Sequence, residues 1–217
     1  MKSKNTEVLN KIQNLITDEL KEKGLSKSGR TYNSTIEKGL VHVVNFQNGK
    51  RSMQGKFTVN LGVYIEELDE VKSNNSTKKE YDCAIRVRLK ELISNKDVWY
   101  NLNEDFHKTS HRITKDLKQE GMEWFELFNS REKIIQNLQK KSIGNFKNRN
   151  RAILDAALIQ LNFDTNEGTK IFKDYFNSIK NNTPHKDYVA RLANVNGIDI
   201  GYSASDEGFD FLKSLLK

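Results

Sequence analysis

Three runs of this 217-residue chain, Leu40–Gln47, Phe57–Ile65 and Tyr81–Leu89, alternate apolar with polar residues. Successive side chains of a strand point to opposite faces, so each run predicts a strand with one apolar and one polar face. Leu40, His42, Val44 and Phe46 share the apolar side of the first run. Phe57, Val59, Leu61, Val63 and Ile65 share that of the second, and Tyr81, Cys83, Ile85, Val87 and Leu89 that of the third. Their opposite sides carry Asn45 and Gln47, then Thr58, Asn60, Gly62 and Tyr64, then Arg86 and Arg88. Such runs build an antiparallel sheet that buries one face and dresses the other in amide and guanidinium groups.

The rest of the chain frames that sheet. Val8, Leu9, Ile12, Leu15, Ile16 and Leu20 recur at three- and four-residue spacing, so Thr6–Lys23 reads as an amphipathic helix closed by Gly24. A short strand at Arg30–Ile36 and a turn at Glu37–Lys38–Gly39 lead into the first long run. Glu66–Glu80, centred on Ser73–Asn74–Asn75–Ser76–Thr77, reads as a loop. The prediction is an N-terminal helix followed by a four-stranded antiparallel meander. Gly62 in mid-strand predicts a bulge, the alternative being a close approach of another part of the chain. From residue 103 the pattern turns helical: Asp105–Glu120, Met122–Lys140, Arg151–Leu161, Glu167–Lys180, His185–Ala193 and Phe209–Leu216. The fold class is α+β, with residues 1–140 as the sheet domain and 141–217 as a helical C-terminal extension packing on it.

Composition bounds the partners. With 36% apolar and 30% charged residues, the chain has a modest core and a highly charged surface, yet its apolar residues are too evenly spread for disorder. The net charge is +7, but 27 lysines against nine arginines, with 24 asparagines, reflect AT-rich coding. The charge therefore permits nucleic-acid or acidic-protein binding without demanding it. The single cysteine, Cys83, excludes an intrachain disulfide and reads as a small buried hydrophobe. Met1–Leu20 lacks a signal-peptide apolar region and no apolar run approaches membrane-spanning length, so a cytoplasmic protein is expected.

Candidate sites follow from side-chain chemistry. Asn45, Gln47, Asn60, Arg86 and Arg88 form a partner- or anion-binding set if the strands pair in order. Two arginines on one strand face offer forked donors to carboxylate or phosphate, and the amides add donors and acceptors. The alternative is a seam in which the arginines pair with carboxylates of this chain. A second candidate is the basic segment Arg131–Arg151, in which Lys140, Lys141, Lys147, Arg149 and Arg151 surround Phe146. Such a patch binds phosphate backbones by counterion release, with the aromatic stacking on a base.

Other motifs read as structural. His107 and His111 lie one helical turn apart, but Lys108 stands where a metalloprotease motif needs its glutamate, so a surface helix is expected and no metal. Glu66, Glu67, Asp69 and Glu70 read as a solvated loop, His42 as a core histidine, and Trp99, Tyr100, Trp124, Phe125 and Phe128 as core anchors. Neither GxxxxGK[ST] nor GxGxxG occurs, and no nucleophile, base and carboxylate set converges, so neither a cofactor nor a catalytic residue is assigned.

The order Gly29–Arg30–Thr31–Tyr32, then Val44–Asn45–Phe46–Gln47, Phe57–Thr58–Val59–Asn60–Leu61–Gly62–Val63–Tyr64, and Arg86–Val87–Arg88–Leu89 followed by Asp97–Val98–Trp99–Tyr100 resembles bacterial domain-of-unknown-function family 4304. The resemblance covers roughly residues 5–140 and implies an α+β domain. It brings no activity, substrate or catalytic residue. Bacterial proteins of this kind often sit in conflict loci. The expected function is therefore a non-enzymatic binding or adaptor module with an operon-encoded protein partner, in a phage-defence or toxin–immunity locus. The alternative is a nucleic-acid-binding accessory subunit using 131–151.

Overall fold

The structure is a computed structural model that describes residues 4–69, 76–140, 151–180 and 182–204. The chain forms two compact units that divide after Lys133. Glu70, Lys141, Phe146, Lys147, Arg149 and the terminal helix expected at Phe209–Leu216 lie outside the described residues.

The first unit begins with helix α1 (Lys4–Glu22), whose Leu9, Ile12, Ile16 and Leu20 are buried. Strands β1 (Ser26–Ser28), β2 (Thr31–Glu37), β3 (Leu40–Asn48), β4 (Lys56–Ile65), β5 (Ile85–Arg88) and β6 (Tyr100–Asn101) follow. Among the described residues they make one antiparallel sheet of order β1-β2-β3-β4-β5, with β6 also on β4. Two strands exceed the predicted four. β1 is a three-residue polar edge that shows no alternation, and β6 is too short to carry a period. Fold class is as expected: α+β with an N-terminal helix, an antiparallel sheet and C-terminal helices.

The apolar face holds Leu40, His42, Val44 and Phe46 of β3, the odd residues from Phe57 to Ile65 of β4, and Ile85 and Val87 of β5, all buried. Each such side chain contributes about 1.5–3 kcal/mol relative to exposure. A short helix α2 (Leu89–Ser94) follows β5, and α3 (Phe106–Asp116) and α4 (Met122–Glu126), joined by a π turn at Leu117–Gly121, complete with α1 the helical side of the unit. A Cβ on Gly121 would lie 3.6 Å from Leu61 and Leu89, so the π turn itself rests against the sheet. His42 stacks on Phe125 at 4.4 Å between ring centres, and its Nε2–H donates to the Phe128 carbonyl at 3.1 Å. Trp124, Phe125 and Phe128 are buried as anchors. The helix expected over Met122–Lys140 breaks after Glu126 and resumes at Arg131 as α5 (Arg131–Lys140). Buried Phe128 and its hydrogen bond to His42 occupy the gap between the two helices.

Three further expectations are corrected. Tyr81–Leu89 is not one strand: Glu80–Asp82 forms a helical turn, closed by the Lys79 N–H donating to the Asp82 carboxylate at 2.8 Å. Tyr81 is consequently exposed, and Cys83 packs with Val41, Val43 and Tyr64 on the face opposite to the one predicted. Gly62 marks no bulge, since β3–β4 and β4–β5 pair through it without a shift. A Cβ there would stand 2.6 Å from the Cys83 sulfur. The Glu66–Asp69 cluster is not simply solvated. Arg131 donates to Glu67 at 2.5 Å and to the Lys38 carbonyl at 2.9 Å, and pairs with Glu37 at 2.9 Å. It thereby ties the start of α5 to the β2–β3 turn, where Gly39 at φ +78° leaves room for it.

The second unit contains α6 (Ala152–Gln160), α7 (Thr165–Ser178) and α8 (Thr183–Val195). α6 is buried almost all round, with Asp155 held by Arg151 at 2.9 Å. Asp164 and Asn182 cap α7 and α8 by accepting from backbone N–H groups.

Two outcomes test this packing. Gly62→Ala should lower the unfolding free energy by about 1–3 kcal/mol, and by less in a Cys83→Ala background, read by urea denaturation. Burial lowers the His42 pKa from the usual 6.5, outweighing the Phe128 carbonyl and Glu126. The unfolded chain then takes up a proton that the folded chain resists, so stability is complete above 6.5 and is lost as pH falls towards the folded value. Urea midpoints should decline over that window, and His42→Gln should flatten the decline.

Candidate binding face

The register aligns the polar residues across four strands. Thr31 pairs with Asn45, Asn45 with Asn60, and Asn60 with Arg88. Directly opposed side chains on one face lie within hydrogen-bonding reach, and these bond. Asn45 Nδ2 donates to the Thr31 hydroxyl at 3.0 Å, and Asn60 Nδ2 donates to Gln47 Oε1 at 2.9 Å and to Asn45 Oδ1 at 3.5 Å. Asn60 is only 4% exposed, whereas Gln47 is exposed and Asn45 half-buried. The sequence-predicted set Asn45, Gln47, Asn60, Arg86 and Arg88 therefore does converge on one face.

The arginines are partly engaged. Arg86 reaches Glu80 at 3.4 Å, and Arg88 reaches Asp97 at 2.5 Å and lies over the Trp99 ring at 5.1 Å. Each side chain is 34% exposed and contacts its carboxylate through one Nη1, so both forks retain further N–H donors.

The other half of the face is covered by the chain's own Lys78 and Cys83. Asn33 Nδ2 donates to the Lys78 carbonyl at 3.0 Å while the Lys78 N–H donates to Asn33 Oδ1 at 2.8 Å. A side-chain amide here grips a crossing backbone at two points, as one peptide group grips another. Lys78 also lies 4.2 Å over the Tyr64 ring, and Tyr64 donates to Asp69 at 2.9 Å. Burial first, then Asp69, pushes the Tyr64 hydroxyl well up, so it stays a donor. Sequence reasoning missed Thr31, Asn33 and Asp97 here, and it took Trp99 for a core anchor, whereas Trp99 is half-buried beneath Arg88. The Thr31–Asn33–Thr35 alternation of β2 was the signal for the first two.

Thr58, opposite Gln47, is fully buried, and its hydroxyl has no hydrogen-bond partner. Such a group carries an uncompensated desolvation cost of about 1–3 kcal/mol.

Of the basic segment, Lys140 is exposed at the end of α5, Arg151 pairs with Asp155, and Lys141, Lys147 and Arg149 lie outside the described residues. His107 and His111 are exposed on α3, and no group of three or more metal-ligating side chains occurs among the described residues. Nor, among them, is any helix long and apolar enough to cross a membrane.

A model of a domain of unknown function, DUF4304, matches residues 16–127, which takes in α1 from Ile16, the whole sheet and α4, so the chain belongs to that family. No curated protein and no solved structure matches it.

Thr58→Val keeps the shape and removes the orphaned hydroxyl. It should raise the unfolding free energy by about 1 kcal/mol, read as a higher urea midpoint at unchanged slope.

Proposed function

We propose that this DUF4304 chain is a non-enzymatic binding or adaptor module that docks a protein partner on the open half of its polar sheet face. The observation that carries the reading is the Asn33–Lys78 pair, in which an amide of this face holds a crossing backbone segment at both its N–H and its C=O. The adjoining amides of Gln47 and Asn45, held from beneath by buried Asn60, present the same chemistry on the half that Lys78 leaves uncovered.

The partner chemistry follows. Fixed amides suit an extended main chain, and the unused N–H donors of Arg86 and Arg88 suit a carboxylate. An acidic extended segment of another protein fits both. Because Asn60 and Thr31 already lock the row, ordering it on binding costs little entropy. By analogy with bacterial conflict loci, that protein is one encoded beside this chain, in a phage-defence or toxin–immunity setting.

The competing reading, nucleic-acid binding through 131–151, rests on fewer free charges. Arg131 is engaged by Glu37 and Glu67, and Arg151 by Asp155.

The test is affinity capture of the intact chain from its host, with and without nuclease. A stoichiometric protein partner that survives nuclease is expected. Gln47→Ala, Arg86→Ala and Arg88→Ala should each weaken that partner's binding about tenfold, the loss of one hydrogen bond to a charged or fixed group, with circular dichroism unchanged. Loss of the partner after nuclease, or unchanged affinity in all three variants, would reject the reading.

A further inference from the structure

Strand β5 is an edge of the sheet, and the phase of the ladder decides which of its backbone groups face outwards. The Gly49 N–H donates to the Lys56 carbonyl at 2.8 Å and the Glu66 N–H to the Gly39 carbonyl at 2.9 Å, both in the register of β3–β4. Bonded pairs recur at every second residue of an antiparallel ladder, so Asn60 and Gly62 bond towards β3 while Leu61 and Val63 bond towards β5. Leu61 pairs with Val87 and Val63 with Ile85. The backbone groups of Arg86 and Arg88 therefore point away from the sheet. The Arg86 N–H and carbonyl and the Arg88 N–H have no hydrogen-bond partner among the described residues, and neither have the backbone groups of exposed Ala84 just before the strand. The Arg88 carbonyl is taken up by the start of α2. The opposite edge offers no such row. There the Phe46 N–H donates to the Arg30 carbonyl, and by the same alternation β1 turns only the backbone of Lys27 outwards.

An unpaired row of backbone groups at two-residue spacing is a template for another strand. The side chains choose which strand. Arg86 and Arg88 lie on the polar face beside this edge, and each keeps N–H donors beyond its one carboxylate contact. Set against the β5 of a second copy, the edge would place arginine opposite arginine, which is unfavourable. Carboxylates at every second position of an added strand meet the two forks instead. The side chains between them fall on the side of Ile85 and Val87, where the sheet is apolar.

We infer that the outer edge of β5 is a strand-addition site for an extended segment of another protein in which acidic and apolar residues alternate. The main chain of that segment bonds to Arg86 and Arg88, and its carboxylates bond to their guanidinium groups. The site is separate from the amide row, because Asn45 and Gln47 stand on β3, two strands inward, and it shares with the polar face only the two arginines.

The probe is a capped heptapeptide of alternating valine and glutamate, titrated into the full chain and followed by amide NMR. Saturable shifts over Ala84–Arg88 are expected, with hydrogen exchange of the Arg86 and Arg88 amides slowed about tenfold or more. Two N-methylated forms of the peptide test the backbone pairing directly. Methylation of one alternate set of amides, glutamate for antiparallel and valine for parallel addition, should cost about tenfold or more in affinity, and methylation of the other set should cost nothing. Arg86→Ala and Arg88→Ala should each weaken binding about tenfold, and Gln47→Ala should leave it unchanged. Absence of saturation, or equal affinity of the two methylated forms, would overturn the assignment. Equal affinity of those forms together with a loss on Gln47→Ala would place the peptide on the amide row, overturning the edge site while leaving the docking reading standing.

Discussion

Strand β4 is the constraint on which the first unit depends. It pairs with β3 along nine residues and with both β5 and β6 on its other edge, and every residue from Phe57 to Ile65 is buried. A strand buried on both faces must find partners for any polar side chain it carries. Its apolar side meets that demand with Val59, Leu61 and Val63 under the helical cover. Its other side carries Asn60, which bonds Gln47 and Asn45, and Gly62, which makes room for Cys83. Thr58 is the unmet case.

From this follows the division of the polar face. Beside Gly62 the chain crosses closely, with Cys83, Lys78 and the Asn33 clasp packed over Val43 and Tyr64. Beyond Asn60 no such approach is made among the described residues, and Gln47, Arg86 and Arg88 keep unused donors. A row satisfied within itself and open at its rim would lose little entropy on meeting a partner, which is why the proposed docking is placed there.

Much of this was legible in the sequence. Alternation named the residues of both faces of β3 and β4, and spacing named the buried side of α1. The convergence of Asn45, Gln47, Asn60, Arg86 and Arg88 followed from strands pairing in order. Alternation failed at Tyr81–Cys83 because a capped turn interrupts the strand period, which put Cys83 on the wrong face. It missed β1 and β6 because two or three residues carry no period. The helix break at Leu127–Ser130 was hidden because Phe128 fits a helical spacing but is held by its contact with His42.

The class of fold, the two sides of β3 and β4 and the chemistry on offer at the polar side all depend on local period and residue type, which the chain carries in its own order. Which of those groups remain available depends instead on contacts made across the fold. Arg131, Arg86 and Arg88 look alike in sequence, yet the first is enclosed by two carboxylates and the others are not, because Glu37 and Glu67 are brought to it by a turn and a strand end distant along the chain. The same holds for Asn33, whose amide meets Lys78 across 45 residues. Pairings of that range are fixed by register and packing, which no local pattern encodes.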